Sequence, residues 1–592
     1  MVNFDFILVL VCLAFILVSL YFELLGASFT FLIAVIVLGI FGVLTPAEIL
    51  TGFANEQVAV IIMLLLLGDI IRQTAVIEVV FDRIFKGARS KRGFLGRMML
   101  IVASFSAFLN NTPLVAVMMP YVNSWCKRTN ISPSKFLMPL SYAAILGGCA
   151  TLIGTSTNLI VNGLVVDQKI IPELPSLWIF DFAYVGVPMI IIGFLYIILF
   201  SDRLLPSKDD LLEEFHVDER SYFVETQVRK RSKLVGMSIE ESGLRKLQGL
   251  FLIEIQRNKR EIFVVSNNLI IDEDDILVFA GDTSKVAELT DSNTGLIIPH
   301  VGMMKKKKKT EVVEIIISPN SSLINKRLKD INFRAAYDAA VIGIHRNEEM
   351  IKSKLREVVL KTGDVLLLYS GDNFLSRSQG TTDFYFISKV KAFQRFEWYK
   401  VAILLGGLIL AIGLAVFKII SLFMGLLILM MTSLVLKLTT PRDLPKSIDY
   451  NLALIIVMAL ALGIAMIKSG AASILANLLI AAFMPLGKVG ILFGIYLITA
   501  FMAAYITNIA AVSIIFPISL ATSVNLGIDP MPFILVVAHA AAANFMTPIG
   551  YQTNLMVYGP GGYSFRDYFR LGFPLTMIYM LVTVTILSLI YF

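Results

Sequence analysis

The chain has 592 residues, of which 57% are hydrophobic and 16% charged, and its mean hydropathy is +0.79. That balance excludes an ordinary soluble globule and makes this a polytopic membrane protein. The net charge of +7 gains meaning only from where the charges lie, and Cys12, Cys126 and Cys149 sit in apolar surroundings without metal-type spacing, which argues against a disulfide framework or thiol catalysis.

The first apolar stretch begins at about Phe4 with no basic leader and no small-residue cleavage site, so it reads as a retained span. Windows able to cross roughly 30 Å of hydrocarbon fall at 4–22, 27–45, 57–75, 137–165 and 176–200. They return at 398–416, 420–437, 448–468, 530–557 and 572–592. The pattern predicts five crossings in a first membrane repeat, 1–205, and five in a second, 393–592. Two more stretches, 95–126 and 489–526, are too long for one span and too short for two. They carry the polar breaks "LNNTP" and "ITNI", and each is expected to be a re-entrant hairpin.

Basic residues in "DRIFKGARSKRGFLGR" and "CKRTNISPSK" flank the first hairpin and put both its ends in the cytoplasm. Counting spans from there leaves the amino terminus outside and the central insert inside, and the second half runs opposite to the first. Polar residues also interrupt two crossings, as "TLIGTSTNLI" (151–160) and "TPIGYQTNLM" (547–556). Asn111 precedes Asn158 by 47 residues and Asn508 precedes Asn554 by 46. A hairpin tip paired twice with a broken helix is the pattern of a secondary transporter with inverted repeats. Non-helical backbone survives at membrane depth only where it is buried in protein or lines a cavity. Hydroxyl, amide and carbonyl oxygens would there suit a cation, and half-helix N-termini an anion.

These four motifs resemble the divalent anion/sodium symporters, and the resemblance covers both membrane halves, about two thirds of the chain. It implies sodium-coupled transport of sulfate or a dicarboxylate by a homodimer in the cell membrane, plasma or inner. In such carriers scaffold helices stay fixed while hairpins and broken helices move, an elevator-type mechanism. Carried over by position, sodium would be held by Ser106, Asn110, Asn111 and the backbone at Gly154, and by Thr507, Asn508 and the backbone at Thr547. Substrate would meet Asn111, Thr112, Thr157, Asn158, Asn508, Thr553 and Asn554.

The family's Ser-Asn-Thr tips stand here as Asn110-Asn111-Thr112 and Thr507-Asn508-Ile509. Losing the last hydroxyl of the second tip favours a compact oxyanion, sulfate, over a long diacid. Ala503, where a hydroxyl would match Ser106, leaves the second cation site poorer.

The insert has its own repeat. "IEIQRNKR" (253–260) matches "IGIHRNEE" (342–349), and "IDEDDILVFAGD" (271–282) matches "LKTGDVLLLYSGD" (360–372), with Arg257 and Arg346 89 apart. Short alternating runs predict two small α+β units, 206–300 and 301–392. They resemble the C-terminal ligand-binding domain of TrkA-type potassium-uptake regulators. The resemblance implies a small cytosolic ligand, with Arg257, Asn258, Arg346 and Asn347 as candidate contacts, the alternative being solvated turns. A Gly-rich dinucleotide fingerprint is absent. "KKKKK" (305–309) reads as a solvated linker or a contact for anionic lipid head groups. His539 is expected to be a packed polar residue, and Asp69 with Arg72 a local ion pair. No nucleophile–base or metal cluster suggests an enzyme, and no nucleic-acid partner is expected. A channel gated by the insert would need a pore-filter repeat instead.

Overall fold

A computed structural model describes residues 4–592 except 23, 74–89, 169, 172–173, 208–222, 230–231, 245–249, 258–259, 264–267, 282–295, 298–311, 319–320, 332, 347–348, 352–354, 371–373, 379–380, 382, 388–397, 442–443 and 449. The first membrane half runs α1 (Phe4–Tyr21), α2 (Ala27–Ile40), α3 (Pro46–Leu50), α4 (Glu56–Gln73), α5 (Lys91–Ser106), α6 (Asn111–Thr129), α7 (Leu137–Gly148), α8 (Ser156–Asp167) and α9 (Ala183–Leu204). The second half follows the same order: α10 (Trp398–Val416), α11 (Leu422–Val435), α12 (Leu444–Ser447), α13 (Tyr450–Lys468), α14 (Ala471–Phe483), α15 (Gly487–Tyr505), α16 (Asn508–Leu526), α17 (Met531–Ala542), α18 (Gln552–Tyr558) and α19 (Phe565–Tyr591). Among the described residues seven helical stretches are long and apolar enough to cross a bilayer, and the bent pair Pro46–Ala54 and Glu56–Ile71 makes an eighth.

Helix α14, which no apolar window anticipated, belongs to one of these stretches, Ala471–Tyr505. Its 13 residues span only roughly 20 Å, too short to register as a crossing window. The matching position in the first half falls at 74–89, outside the described residues.

Both hairpins turn where a polar side chain takes over a backbone donor. Asn110 Oδ1 accepts from Thr112 N at 3.2 Å, and Thr507 Oγ1 accepts from Ala510 N at 3.1 Å, so α6 and α16 each start on a cap. The broken helices are held by one repeated set of bonds. Thr151 Oγ1 donates to Ala107 O and accepts from Gly154 N at 3.1 Å, while Asn158 Nδ2 donates to Thr151 O at 2.9 Å. Thr547 Oγ1 donates to Ala504 O at 2.8 Å and accepts from Gly550 N at 3.1 Å, while Asn554 Nδ2 donates to Thr547 O at 3.2 Å and Asn544 O at 3.0 Å. These bonds satisfy peptide groups that helix geometry has released.

Between the halves lie two antiparallel five-stranded sheets. Strands β1 (Phe223–Val228), β2 (Leu250–Arg257), β3 (Arg260–Phe263), β4 (Ile276–Gly281) and β5 (Leu296–Ile297) take the order β3-β2-β4-β1-β5. Strands β6 (Val312–Ile317), β7 (Ala339–Arg346), β8 (Glu349–Ile351), β9 (Val365–Ser370) and β10 (Phe384–Phe386) take β10-β6-β9-β7-β8, the same plan read from the other edge. Even the register break recurs, at Leu252/Glu254 and at Val341/Gly343.

Each sheet is locked by an arginine fork. Arg257 Nε and Nη2 donate to Asp275 at 2.8 and 2.7 Å, and Nη2 also reaches Ile270 O at 2.6 Å. Arg346 repeats this with Asp364, at 2.6 Å from both nitrogens, and with Val359 O at 2.7 Å. Both aspartates are fully buried, and their hydrogen bonds raise the guanidinium pKa further. Arg257 and Arg346, expected as ligand contacts, are engaged in these forks, which hold the turns before β4 and β9. Asn258, Asn347 and the lysine run 305–309 lie outside the described residues.

The second sheet also has a face for the membrane half. Val313, Ile315 and Ile317 point into its own core, whereas Ile316, Val365 and Ile387 join the core of the helical region. Gly363, at φ +84°, carries the turn beside α18, where an added Cβ would come within 3.2 Å of Leu555. The first sheet's core is built from its own residues, Val228 to Phe279. Replacing Arg346 by Met leaves Asp364 buried and uncompensated, so stability of the second unit should fall by on the order of 3 kcal/mol. Faster proteolysis within 312–386 than in the wild type is the readout, and Arg257→Met should do the same to the first unit alone.

Candidate functional site

A cavity of about 690 Å³ lies where the two tips and the two broken helices meet. Asn110, Asn111 and Thr112 border it from the first tip and Thr507, Asn508 and Ile509 from the second. Thr155, Ser156 and Thr157 come from the start of α8, and Gly550, Tyr551 and Gln552 from the start of α18. Among the described lining residues there is no Lys or Arg, and Asp69 is the single carboxylate. Asp69 is held by interactions of its own, while the side chain of Arg72 is not described.

Sequence placed seven residues at the substrate, and the structure divides them. Asn111, Thr112, Thr157 and Asn508 line the cavity. Asn158, Thr553 and Asn554 do not. They are fully buried behind the wall: Asn158 Nδ2 donates to Thr151 O while its Oδ1 has no hydrogen-bond partner, and Thr553 Oγ1 and Asn554 Oδ1 accept from Ser141 Oγ at 2.8 and 2.7 Å. Asn158 and Asn554 brace the unwound segments, and the motif marks the break and not the direction in which its side chains point. His539 is also buried, with Nδ1 3.0 Å from Tyr579 Oη, and is absent from the lining.

The proposed cation residues fall into two clusters. In the first, Ser106 Oγ contacts Asn111 Oδ1 and lies 2.5 Å from Ala144 O. A Cβ at Gly148 would sit 2.7 Å from Asn111 Nδ2 and 3.1 Å from Gly154 O, so glycine is what lets the broken helix approach the tip. In the second, one end of the Asn508 amide lies 2.7 Å from Gly550 O and 3.2 Å from Ala541 O. With nitrogen there it donates to both carbonyls; with oxygen there, three oxygens converge. Thr547 is turned onto Ala504 O, and Asn110 and Thr507 serve as the caps of their helices.

Among the lining residues that sequence did not mark, Tyr551 and Gln552 bridge the cavity. Tyr551 Oη accepts from Asn111 Nδ2 at 2.7 Å and pairs with Thr155 Oγ1 at 3.1 Å, and Gln552 Oε1 accepts from Thr112 Oγ1 at 2.9 Å. They tie the first tip to the second broken helix across the cavity. The available signal was the difference between the two motifs: Tyr551-Gln552 stands where the first repeat has Thr155-Ser156. Thr155, the N-cap of helix α8, makes no side-chain cap bond, which leaves first-turn N–H groups beside the cavity.

This arrangement accords with the sequence comparisons, in which the chain matches the citrate transporter family over residues 10–479 and again over 409–592. The chain belongs to that family. It is 34% identical to a putative sulfur deprivation response regulator of Chlamydomonas reinhardtii, over 92% of this chain and 95% of the relative. It is 33% identical to an uncharacterized transporter of Synechocystis, over 99% and 97%. Sodium/sulfate cotransporter 1 of Chlamydomonas reinhardtii is 24% identical over 94% and 86%.

Because Tyr551 Oη is the acceptor that fixes the Asn111 amide, Tyr551→Phe should free that amide without changing the cavity's volume much. Substrate affinity should fall roughly three- to tenfold, the size expected for one lost polar contact, in equilibrium binding to purified protein.

Proposed function

We propose that this chain couples sodium to the movement of a compact divalent oxyanion, sulfate, by alternating access. The observation that carries the reading is the uneven cavity: Asn111, Thr112, Tyr551 and Gln552 gather neutral polar groups at the first tip, while at the second Asn508 stands beside Ile509 and the Thr507 hydroxyl caps its helix. A diacid gripped at both ends would need matching hydroxyl donors at both tips. A small tetrahedral anion needs one cluster of neutral donors, which the α8 N-terminus augments without a fixed positive charge. Relatives named for sodium/sulfate cotransport support the same substrate pair. In this reading Asn111 and Asn508 serve both cation and anion, which makes binding of one depend on the other.

The second reading is a sodium/dicarboxylate symporter, favoured by the family's description as citrate transporters and by the size of the cavity. Uptake of labelled sulfate into liposomes under sodium, potassium or proton gradients, competed by succinate, separates the two. Saturable sulfate uptake that follows sodium is expected, and succinate transported better than sulfate would reverse the ranking. Asn111→Ala and Asn508→Ala should each abolish sodium-dependent uptake in folded protein, and Ile509→Thr should strengthen competition by dicarboxylates.

In the same proposal the carrier is a homodimer of the cell membrane with scaffold and moving helices, and its inserted units lie in the cytoplasm as regulators. Ser318 and Tyr385 of the second unit border the cavity, and its Gly363 turn abuts α18, so it is placed to restrain the moving part. A small cytosolic ligand binding the two transport states unequally would shift their equilibrium. Deleting 207–392 and joining the halves by a flexible linker should keep sulfate binding and change the transport rate; loss of binding in a folded product would mean that the insert builds the site.

A further inference from the structure

We infer that Asn544 is a cation ligand of the second repeat, supplying from the broken helix the oxygen that Ser106 supplies from the hairpin in the first. The inference rests on the sodium-coupled reading above and concerns which residue completes the site.

The two repeats superimpose in sequence with little slippage. Thr151 and Gly154 match Thr547 and Gly550, which pairs Gly148 with Asn544; Asn111 matches Asn508, which pairs Ser106 with Ala503. Two facing positions have thus exchanged character. In the first repeat the hairpin brings a hydroxyl and the broken helix a glycine. In the second the hairpin brings a methyl and the broken helix an amide.

The structure shows where that amide goes. Asn544 is 3% exposed, and neither Oδ1 nor Nδ2 has a hydrogen-bond partner. A Cβ added to Gly550 would lie 2.0 Å from Asn544 Nδ2 and 2.9 Å from Oδ1. Gly550 O is also the carbonyl that lies 2.7 Å from the Asn508 amide. The unpartnered amide therefore sits against the same peptide that, with Asn508 and Ala541 O, makes up the second cluster.

A buried amide with both ends unbonded is costly in a folded protein and calls for an explanation. Coordination supplies one, because Oδ1 can join the other oxygens around a cation. The ligand class follows from the donors. They are amide and carbonyl oxygens, and among the described residues no group of three or more His, Cys, Asp or Glu could hold a metal ion. Neutral oxygens without a carboxylate to balance a second charge suit a monovalent hard cation. The same exchange resolves the expectation that Ala503 leaves this site poorer: the oxygen has moved to the opposite wall.

The test uses purified full-length protein and three chains: wild type, Asn544→Gly, and Asn544→Gly combined with Ala503→Ser. Sodium titration is read both as a thermal shift and as the sodium concentration for half-maximal uptake. Asn544→Gly should raise that concentration roughly tenfold, the effect of one lost ion–dipole contact, while its unfolding temperature without sodium stays equal or rises. Adding Ala503→Ser, which recreates the first site's arrangement, should recover most of the sodium affinity. A purely structural Asn544 would instead lower the sodium-free unfolding temperature and gain nothing from Ala503→Ser. If Asn544→Gly fails to fold, Asn544→Ala is read in its place. Unchanged sodium response in the folded variant, with a sodium-dependent wild type, overturns the inference alone. A wild type that responds to another monovalent cation overturns sodium coupling, and the same variants then judge Asn544 with that ion. A wild type that responds to none overturns both.

Discussion

Every peptide group that leaves a helix at membrane depth must find a partner within the protein, and the rest of this structure follows from how that requirement is met. Thr151 and Thr547 each give one hydroxyl to the hairpin backbone and take one N–H from the glycine three residues on. Asn158 and Asn554 then close the loop on the threonine carbonyls. Two short segments so braced can stay unwound without water, and what remains of their backbone and side chains faces the tips. The cavity is a consequence of the braces.

Duplication supplies the frame, and departures from it supply the chemistry. If both halves were identical, the cavity would be symmetric and would present equal groups from each tip. Ile509 in place of Thr112 removes one hydroxyl from the second tip, while Tyr551 and Gln552 in place of Thr155 and Ser156 crowd polar atoms onto the other side. At the matching positions Ser106 and Gly148 of the first repeat are replaced by Ala503 and Asn544 in the second, which moves the polar group across the gap. A glycine opposite a serine and an asparagine opposite an alanine are two ways to fit one oxygen between close-packed helices.

The inserted units are a second duplication with a different outcome. Both fold on one strand order and one Arg–Asp lock, yet the second sheet adds a hydrophobic face, with Ile316 and Val365, that packs on the helical region, and it brings Ser318 and Tyr385 to the cavity. Two units of the same make are thereby given unequal parts: one meets the helical region directly.

Sequence alone determined the membrane class, the polar breaks between helices and the repeat within the insert, because each leaves a local mark: apolar length, a polar break, or strand alternation ended by a turn. It could not register α14, whose 13 residues fall below the length that defines a crossing. Nor could it tell which polar residues of a broken helix face outward. Thr157 and Asn158 are neighbours in the same motif, and only the packing of α8 against the rest sends one to the cavity and the other to Thr151. The partners of Arg257 and Arg346 were equally hidden, because a charge carries no local record of its partner, and Asp275 and Asp364 lie 18 residues on. The pairing of Tyr551 with Asn111 joins residues 440 positions apart, and the burial of Asn544 beside Gly550 depends on how the second tip packs. Local pattern fixes where a chain must break. Which groups then meet is decided by close packing between distant segments, and no local pattern contains that information.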